Sequence, residues 1–460
     1  MVSSFVTAES YVMSFPFYDR IEESEWLRDS LKQVLNDCSR MLVITGRRRV
    51  GKTALVNHVF EDGRVSYLFL FVNKEMTTQG NLQAFWKDNA EALNLKNLTI
   101  QTQSFSELFQ FLFERAESQP MVLMIDEFQN LESLEPSFFG ELQKYWDRRR
   151  KKTKMLLILT GSVATAMREI TENINAPLYG RKDGQLILQP FSTATVKKIL
   201  SDFNPDYTSE DLLTLHMIAG GVPKYIEEMM QSGRTDSASM LRAALTPSSY
   251  FITEGETLLR TEFKDDYALY FQILSNIASG KSKRSEILSS FEKNNVESQL
   301  YKLENYWRII RREEPVGGAA TNRGHRFVLA DPFLLFWFRY IYPNRSLIEF
   351  GKTRRLLERV DQTLPDFVGR HVLESYFKKQ LWESGNFNEV GSWWDRRGEN
   401  EIDIVAVNPF DKEILFVEVK RNRSKYDEDT LRSRALLFLS LHREYQKFAV
   451  KLECRSLEDL

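Results

Sequence analysis

Residues Gly46–Thr53 could bind phosphate groups. Two glycines, a lysine and a threonine occupy the fixed positions of the pattern G-x-x-x-x-G-K-[ST]. Glycines let backbone N–H groups turn toward a phosphate, and the N-terminus of a following helix adds partial positive charge. Lys52 is then expected to reach the β- and γ-phosphates of a nucleotide, and the Thr53 hydroxyl to bind Mg2+. The predicted nucleotide contacts are Gly46, Arg47, Arg48, Arg49, Val50, Gly51, Lys52, Thr53 and Ala54.

Two carboxylates follow the apolar run Met121–Ile125. Asp126 is predicted to hold Mg2+ through water, and Glu127 to polarise the water that attacks the γ-phosphate. A surface turn after a core strand is the alternative.

A third apolar run, Met155–Thr160, continues into Gly161 and Ser162. Its polar end either senses the γ-phosphate or forms an ordinary turn between a strand and a helix.

The C-terminal region carries a second set of chemical groups. Asp403 lies near the start of one predicted strand, and Glu418 and Lys420 lie on the next. Alternation along a strand puts Glu418 and Lys420 on the same face. Asp403 and Glu418 could share a divalent metal, and Lys420 could orient or activate the attacking water. This is the arrangement of PD-(D/E)XK nucleases, whose additional helix-borne acid would correspond to Glu374.

These groups need a scaffold, and the spacing of apolar runs predicts one. Short apolar runs separated by amphipathic segments are typical of a parallel sheet buried on both faces. A helix is expected directly after the phosphate loop, over Ala54–Phe60, and another over Ile21–Asn36. The predicted strands are Met41–Thr45, Ser66–Val72, Met121–Ile125, Met155–Thr160 and Gln185–Leu188. Those of the C-terminal region are Glu401–Val407, Glu413–Lys420 and Gln446–Leu452, preceded by a helix over Asp366–Trp382.

Residues 265–330 suggest a winged helix. Three helices are predicted over Asp266–Ser279, Lys283–Phe291 and Val296–Asn305, followed by a hairpin of Arg308–Glu313 and His325–Leu329. Its basic residues could contact DNA phosphates. A packing or relay role is the alternative, because Glu304, Glu313 and Glu314 dilute the charge. The basic residues are Lys281, Lys283, Arg284, Lys302, Arg308, Arg311, Arg312, Arg323 and Arg326.

Composition limits the wider possibilities. The chain has 460 residues, 62 basic against 64 acidic, so no global field draws it to nucleic acid or membrane. This length suggests about two to four domains. The two cysteines form no pair pattern, which fits a reducing compartment. The opening residues do not resemble a signal peptide, and no apolar run reaches the length of a membrane span, so a cytoplasmic protein is expected.

With these residues in place, the chain resembles the archaeal-type ATPases of the STAND/AAA-related P-loop class that carry a C-terminal domain of unknown function. The segments that carry this resemblance, besides the phosphate loop, are Phe17–Arg20, Ile125–Gln129, Leu178–Arg181, Gly220–Tyr225 and Leu329–Phe333.

The resemblance implies roles for further residues. Gly221 and Pro223 would lie near the nucleotide, and Arg181 would stabilise developing charge as an arginine finger, in its own chain or in a partner copy. A salt bridge holding the lid to the core is an equal alternative for Arg181. Asp19 and Arg20 would approach the adenine edge, unless Asp19 caps the helix that starts at Ile21.

The predicted architecture is an α/β P-loop NTPase sheet with a helical lid, a winged helix and a C-terminal restriction-endonuclease-like domain. The predicted boundaries are 1–192, 193–262, 263–345 and 346–460. The predicted function is an ATP-hydrolysing, Mg2+-dependent switch with a nuclease-like effector, acting on DNA. The alternatives are a nucleotide-gated scaffold for a protein partner and a DNA-binding regulator with an inactive nuclease-like domain.

Overall fold

The computed structural model describes residues 15–95, 102–161, 164–263, 267–291, 296–318 and 324–460. These form two compact units, Phe17–Pro190 and Phe191–Leu460, and the second also includes Phe15 and Pro16. No helix in the described ranges combines the length and apolar character needed to cross a bilayer.

A five-stranded parallel sheet forms the centre of the first unit, and all five predicted strands are confirmed. The strand order is β2-β3-β4-β1-β5, so β4 lies between the two strands that end in the phosphate loop and in Asp126. Because the strands are parallel, their carboxyl ends meet at one edge of the sheet. The strands are β1 (Arg40–Gly46), β2 (Ser66–Phe71), β3 (Met121–Asp126), β4 (Met155–Gly161) and β5 (Gly184–Leu188).

Apolar cores cover both faces of this sheet. Along β3, Leu123 and Ile125 enter one core, and Val122 and Met124 enter the other. This two-sided burial explains why the strands appear in the sequence as continuous apolar runs. The helices of this unit are α1 (Ile21–Asn36), α2 (Lys52–Phe60), α3 (Thr78–Asn89), α4 (Phe105–Arg115), α5 (Leu131–Leu134), α6 (Phe138–Arg149) and α7 (Ala164–Thr171).

The second unit begins with five helices. Pro223 is the first residue of the third of them, a position where its missing N–H costs no hydrogen bond. Leu212, Leu215 and Ile218 are fully buried in the second. The helices are α8 (Thr193–Phe203), α9 (Ser209–Ala219), α10 (Pro223–Gln231), α11 (Ser237–Leu245) and α12 (Tyr250–Phe263).

The elements expected for a winged helix are present, although their assignment to that fold stays a prediction. The two strands pair antiparallel, with Ile310 opposite Leu329. A π-helical turn, Lys302–Tyr306, extends the third helix. Asp266 and Arg323 lie outside the described residues. The elements are α13 (Tyr267–Ala278), α14 (Arg284–Leu288), α15 (Glu297–Tyr301), β6 (Ile310–Glu313) and β7 (Arg326–Leu329).

Four further helices lead to the C-terminal sheet. The predicted start of the helix Asp366–Trp382 is wrong. Asp366 lies near the end of the preceding helix, α18 (Thr353–Phe367), which is followed by a π-helical turn, Val368–Val372. The next helix, α19, begins at Leu373. The amphipathic pattern continues across the π turn and therefore does not mark the boundary. The helices are α16 (Pro332–Phe336), α17 (Arg345–Glu349), α18 (Thr353–Phe367) and α19 (Leu373–Glu383).

The C-terminal sheet is mixed, in the order β11-β10-β9-β8. β10 pairs parallel with β11, and β9 pairs antiparallel with both β10 and β8. The predicted last strand is confirmed, but it begins three residues later, at Ala449 rather than Gln446. A nuclease-like fold stays a prediction. The elements are β8 (Glu389–Trp394), β9 (Glu401–Asn408), β10 (Glu413–Val419), α20 (Glu428–Leu441) and β11 (Ala449–Arg455).

Candidate functional site

The phosphate loop connects β1 to α2, and its two fixed glycines have a backbone reason. A Cβ atom on Gly46 would lie 2.5 Å from the carbonyl oxygen of Leu188 on the neighbouring strand β5. Gly51 precedes α2 with a φ of 93°, a conformation that favours glycine. Any side chain at either position would therefore disturb the loop.

The variable positions of the loop divide by burial. Val50 is fully buried in the core beneath the sheet, and its N–H donates to the carbonyl oxygen of Arg47 at 3.3 Å. Arg48 is exposed, as is Ala54 in the first turn of α2, and Arg47 and Arg49 are partly exposed. Val50 thus anchors the loop while the arginines remain near the surface.

Lys52 lies inside the loop, where it is only 7% exposed. Its ammonium donates to the carbonyl oxygens of Gly46, at 3.0 Å, and Arg47, at 3.3 Å. Burial lowers the pKa of Lys52, and the carboxylates of Asp126 and Glu127 oppose this effect. The Lys52 ammonium is therefore held only by neutral carbonyl oxygens. A phosphate oxygen in their place would accept stronger, charge-assisted hydrogen bonds from it.

Asp126 joins the loop to the neighbouring strands. Its carboxylate accepts hydrogen bonds from the Thr53 hydroxyl at 2.7 Å, the Thr160 hydroxyl at 2.6 Å and the N–H of Glu127 at 3.0 Å. The structure thus brings the two predicted Mg2+ ligands into direct contact. It also places Thr160 beside them, at the end of the strand between the two motif strands. Ser162 lies outside the described residues.

The oxygens of Thr53 and Asp126 fit Mg2+. This cation prefers oxygen ligands and is usually held by one or two protein groups, with water and substrate phosphates completing its shell. No group of three or more His, Cys, Asp or Glu side chains in the described ranges is arranged to hold a metal.

Glu127 directly follows β3 in a left-handed conformation, with a φ of 53°. Gln129 donates from its Nε2 to Glu127 Oε2 at 2.5 Å. The side-chain oxygen of Gln129, Oε1, is buried without a hydrogen-bond partner among the described residues. Gln129 therefore orients Glu127, a role that the sequence analysis missed although it included Gln129 in the Ile125–Gln129 segment.

Arg20 makes buried contacts at the phosphate loop, and its expected approach to the adenine edge stays a prediction. It is 6% exposed, and its guanidinium donates to the carbonyl oxygens of Gln189 at 2.6 Å and Val50 at 3.4 Å. The predicted cap of α1 by Asp19 is wrong, since Arg20 is the N-cap residue of this helix and no side-chain hydrogen bond is made there. Arg20 thus links the phosphate loop, at Val50, to the backbone of Gln189.

Arg181 makes a two-pronged ion pair with Asp147 of α6. Its Nε lies 2.9 Å from Asp147 Oδ1, and its Nη2 lies 2.7 Å from Oδ2. Because both residues belong to the first unit, this ion pair is internal to that unit and is not a bridge from a lid to the core. Gly221 and Pro223 belong to the second unit, in the turn between α9 and α10.

The predicted C-terminal residues also come together. Asp403 Oδ2 accepts from the N–H of Val419 at 2.7 Å, and Glu418 Oε1 pairs with Lys420 Nζ at 2.5 Å. Ser392 on β8 links Glu374 to this group, because its hydroxyl lies 3.2 Å from Glu374 Oε1 and 2.9 Å from the Asp403 carbonyl oxygen. The residues Glu374, Asp403, Glu418 and Lys420 are called the carboxylate cluster below.

Basic side chains that the sequence analysis missed surround the carboxylate cluster. Lys378 pairs with Glu374 one helical turn away, and Arg434 of α20 lies 3.4 Å from Glu418. Burial, with the nearby Glu374 and Glu418 carboxylates, raises the pKa of Asp403 to about 7. Asp403 and Glu418 of this cluster are the two carboxylates that the sequence analysis predicts to share a divalent metal. The i, i+4 spacing from Glu374 is the only sequence signal for Lys378.

Ion pairs engage several of the basic residues predicted to face DNA. Arg284 pairs with Glu297, Arg311 with Glu313 and Arg312 with Glu304. Arg326 makes two contacts with Glu401 of β9, at 2.6 and 3.1 Å, and lies over the Trp394 ring. The hairpin is thus docked on the C-terminal sheet, which reduces the charge available for phosphates.

Two separate regions of the chain match known families. Residues 17–229 match a family described as "ATPase domain predominantly from Archaea". Residues 337–431 match a family described as archaeal and bacterial proteins of unknown function. An uncharacterized protein of Methanocaldococcus jannaschii is 29% identical over 447 residues, which cover 94% of each chain.

Two solved structures share the fold. A Walker-type ATPase of Pyrococcus abyssi superimposes with a TM-score of 0.52 at 20% identity, covering 70% of this chain and 96% of its own. The Aeropyrum pernix ORC2 protein, solved in ADPNP–ADP complexes, gives 0.50 at 16% identity, covering 76% and 98%. Together with the geometry of the phosphate loop, these matches support an archaeal-type P-loop ATPase whose C-terminal region resembles a family of unknown function.

Proposed function

We propose that the chain is an ATP-binding and ATP-hydrolysing switch. The observation that carries this proposal is the convergence of Lys52, Thr53, Asp126 and Glu127 at the carboxyl edge of one parallel sheet. The loop Gly46–Ala54 cradles the phosphates with its N–H groups, and Lys52 leaves its two carbonyl acceptors for the β- and γ-phosphates.

Hydrolysis uses the groups that follow β3. Glu127, oriented by Gln129, accepts a proton from a water molecule whose oxygen attacks the γ-phosphorus, and the bond to the β–γ bridging oxygen breaks. Thr53 and Asp126 would hold Mg2+, which would neutralise charge on the phosphate oxygens when bound. Arg181 is proposed to stabilise charge at the γ-phosphate after it leaves Asp147. Gly221 and Pro223 are proposed to respond to the bound nucleotide.

The same proposal gives each region a role. Residues 1–192 form the ATPase core, 193–262 a lid, 263–345 a winged helix and 346–460 a nuclease-like effector. The border between the compact units at Pro190/Phe191 supports the first division.

The direct test is the Lys52→Ala variant. Removing the ammonium should abolish ATP turnover, because no other side chain in the loop occupies this buried position. Turnover is measured as phosphate release with Mg2+ present, beside Lys32→Ala, whose lysine is a mainly exposed residue on α1. ATPase activity that persists in Lys52→Ala and equals that of Lys32→Ala would contradict the assignment.

The carboxylate cluster favours a second activity, metal-dependent cleavage of nucleic acid. Asp403 and Glu418 would hold a divalent cation, and Lys420 would orient or activate a water that attacks a phosphodiester, with the sugar oxygen leaving. A cavity of about 400 Å3 opens beside Arg434 and is lined also by Asn400, Asp429, Thr430 and Ser433.

This second activity is tested with labelled single- and double-stranded DNA, with Mg2+ or Mn2+, with and without ATP. Cleavage should appear in the wild type and disappear in Asp403→Asn and Lys420→Ala. DNA binding without cleavage would instead favour a DNA-binding regulator. Neither binding nor cleavage would favour a nucleotide-gated scaffold for a protein partner.

A further inference from the structure

A close backbone contact joins the start of the second unit to the turn between α9 and α10. The N–H of Phe191 donates to the carbonyl oxygen of Gly221 at 2.8 Å. A Cβ atom on Gly221 would lie 2.5 Å from the carbonyl oxygen of Phe191, and the φ of Gly221 is 85°. Only glycine therefore allows this approach. Any shift of the turn must move Phe191 with it.

One face of α19 lies on this contact. Lys379 donates from its ammonium to the carbonyl oxygen of Phe191 at 2.9 Å, and the same ammonium is 3.4 Å from the Cβ position of Gly221. Glu383, one turn further along α19, accepts from the N–H and the hydroxyl of Thr193, at 2.8 and 2.6 Å. The edge of Tyr376 packs against His216 of α9. Three residues of α19 thus fix the helix to α8, α9 and the Gly221 turn.

The opposite face of α19 belongs to the carboxylate cluster. At 3.6 residues per turn, Glu374 and Lys378 lie on one side of the helix, and Lys379 and Glu383 lie roughly opposite. Lys378 pairs with Glu374 and donates to the Ser392 hydroxyl at 2.5 Å. A change in the position of α19 would therefore move Glu374 relative to Asp403 on the sheet.

We propose that α19 is the element through which nucleotide binding controls the carboxylate cluster, with Lys379 and Glu383 as the positioning residues that attach it to the Gly221 turn. The proposal rests on the proposed function, in which Gly221 responds to the nucleotide. A helix is rigid along its length, so a displacement at one face is passed to the other. The hairpin β6–β7 contacts the C-terminal sheet at a different place, through Arg326 and Glu401.

Lys379 and Glu383 suit this role because their contacts are few and specific. The Lys379 side chain is 31% exposed and that of Glu383 is 25% exposed, and their charged atoms lie 3.6 Å apart. The lysine charge is thus balanced by one carboxylate and satisfied by one main-chain carbonyl. Removing either side chain would loosen the attachment of α19 without touching Glu374, Asp403 or Glu418.

The test is hydrogen–deuterium exchange on the full chain, with and without ADPNP and Mg2+. In the wild type, ADPNP should change the exchange of the peptides that contain α19 and β8. In Lys379→Met this change should be lost while ADPNP still binds with unaltered affinity. Lys379→Arg should keep it, because a guanidinium can still donate to the Phe191 carbonyl. Lys198→Met, a change at an exposed lysine on α8, is the matched control and should also keep it.

Folding is checked by circular dichroism, and Glu383→Gln serves as a second variant should Lys379→Met unfold. Glu383→Gln should weaken the response, because it removes the charge that holds Thr193 and Lys379. Wild-type protein that binds ADPNP with no change at α19 would overturn the coupling alone. A response that persists in both Lys379→Met and Glu383→Gln would overturn the route. Failure of the wild type to bind ADPNP would overturn the proposed function, and this inference with it.

Discussion

The phosphate loop and the carboxylate cluster both lie at strand ends, yet they are held in different ways. In the loop, Lys52 is bound by two carbonyl oxygens from its own segment, and Asp126 is bound by hydroxyl and N–H donors. In the cluster, carboxylates lie close to each other and are balanced by lysine and arginine side chains. The first arrangement leaves a cation held only by neutral oxygens, whereas the second places three carboxylates among Lys378, Lys420 and Arg434.

This difference has an energetic consequence. Burial without a strong partner disfavours the charged form of Lys52, and burial together with neighbouring carboxylates disfavours the charged form of Asp403. At both sites the buried charge therefore lowers the stability of the folded chain, and a ligand of opposite charge would reduce this free-energy cost. At the loop that ligand would be a nucleotide, and at the cluster it would be a divalent cation.

The largest expected effect is at Glu127. Glu127→Gln keeps the shape but removes the proton acceptor, so turnover should fall by about 100- to 10,000-fold while ATP binding persists. Glu132→Gln, at an exposed position on α5, is the control and should behave as wild type. Equal turnover in the two variants would show that Glu127 is not the proton acceptor in hydrolysis. Phosphate release and ADPNP affinity are the two measurements.

The second effect is on stability at the cluster. Because the folded pKa of Asp403 is raised to about 7 from an ordinary value of 3.8, the folded state binds this proton more tightly than the unfolded chain does. The stabilisation is present below pH 3.8 and is lost as pH rises toward 7, at about 1.4 kcal/mol for each pH unit. Asp403→Asn should therefore unfold at a higher temperature than the wild type at pH 8.

The advantage of Asp403→Asn should shrink as the pH is lowered to 4, where the wild-type carboxyl is largely protonated. Added Mg2+ or Mn2+ should raise the melting temperature of the wild type at pH 8 and leave Asp403→Asn unchanged. Melting curves at pH 4, 6 and 8 provide both comparisons. An Asn variant that is less stable than the wild type at every pH would show that Asp403 contributes by its hydrogen bond to Val419 instead.

The third effect is steric and concerns the loop. Gly46→Ala would place a Cβ atom 2.5 Å from the Leu188 carbonyl oxygen and 3.2 Å from a Val50 methyl group. Forcing this contact should lower the free energy of unfolding by about 1–3 kcal/mol and weaken nucleotide binding. Gly140→Ala is the control, since nothing lies within 4 Å of its Cβ position on α6. There alanine should stabilise the helix by about 1 kcal/mol. Urea denaturation measures both.

The phosphate loop and the carboxylate cluster also differ in how far the sequence could predict them. The loop Gly46–Thr53 is a local pattern, so its strand, turn and helix could be derived from neighbouring residues. Arg20 could not, because its acceptors lie on Val50 and Gln189, far along the chain. The acids Asp403 and Glu418 were predicted from adjacent strands. Ser392 and Arg434 reach the cluster only through the packing of β8 and α20, which no local spacing encodes. Lys378 is indicated only by its i, i+4 spacing from Glu374.

The smallest expected effect is that of Asp147→Asn, which removes the ion-pair partner of Arg181. Its two-pronged pair with Asp147 is partly exposed, and such pairs contribute only about 0.2–1 kcal/mol. Asp147→Asn should therefore cost little stability, and it frees Arg181 to act at the γ-phosphate. If release from Asp147 limits that action, turnover should rise by at most about fivefold, the factor that 1 kcal/mol represents. Arg181→Ala should instead lower turnover if the arginine stabilises charge at the γ-phosphate.

Asp147→Asn and Arg181→Ala both break the same ion pair, but only the first keeps the arginine. Comparing the two variants therefore separates a structural ion pair from an arginine finger. A structural ion pair predicts equal, small losses of stability and unchanged turnover in both. An arginine finger predicts that the two variants change turnover in opposite directions while their stabilities stay matched. A mixture of each variant with Lys52→Ala protein adds a further distinction. Restored turnover in the Arg181→Ala mixture would mean that the arginine of one chain serves the phosphate loop of another, and this requires self-association.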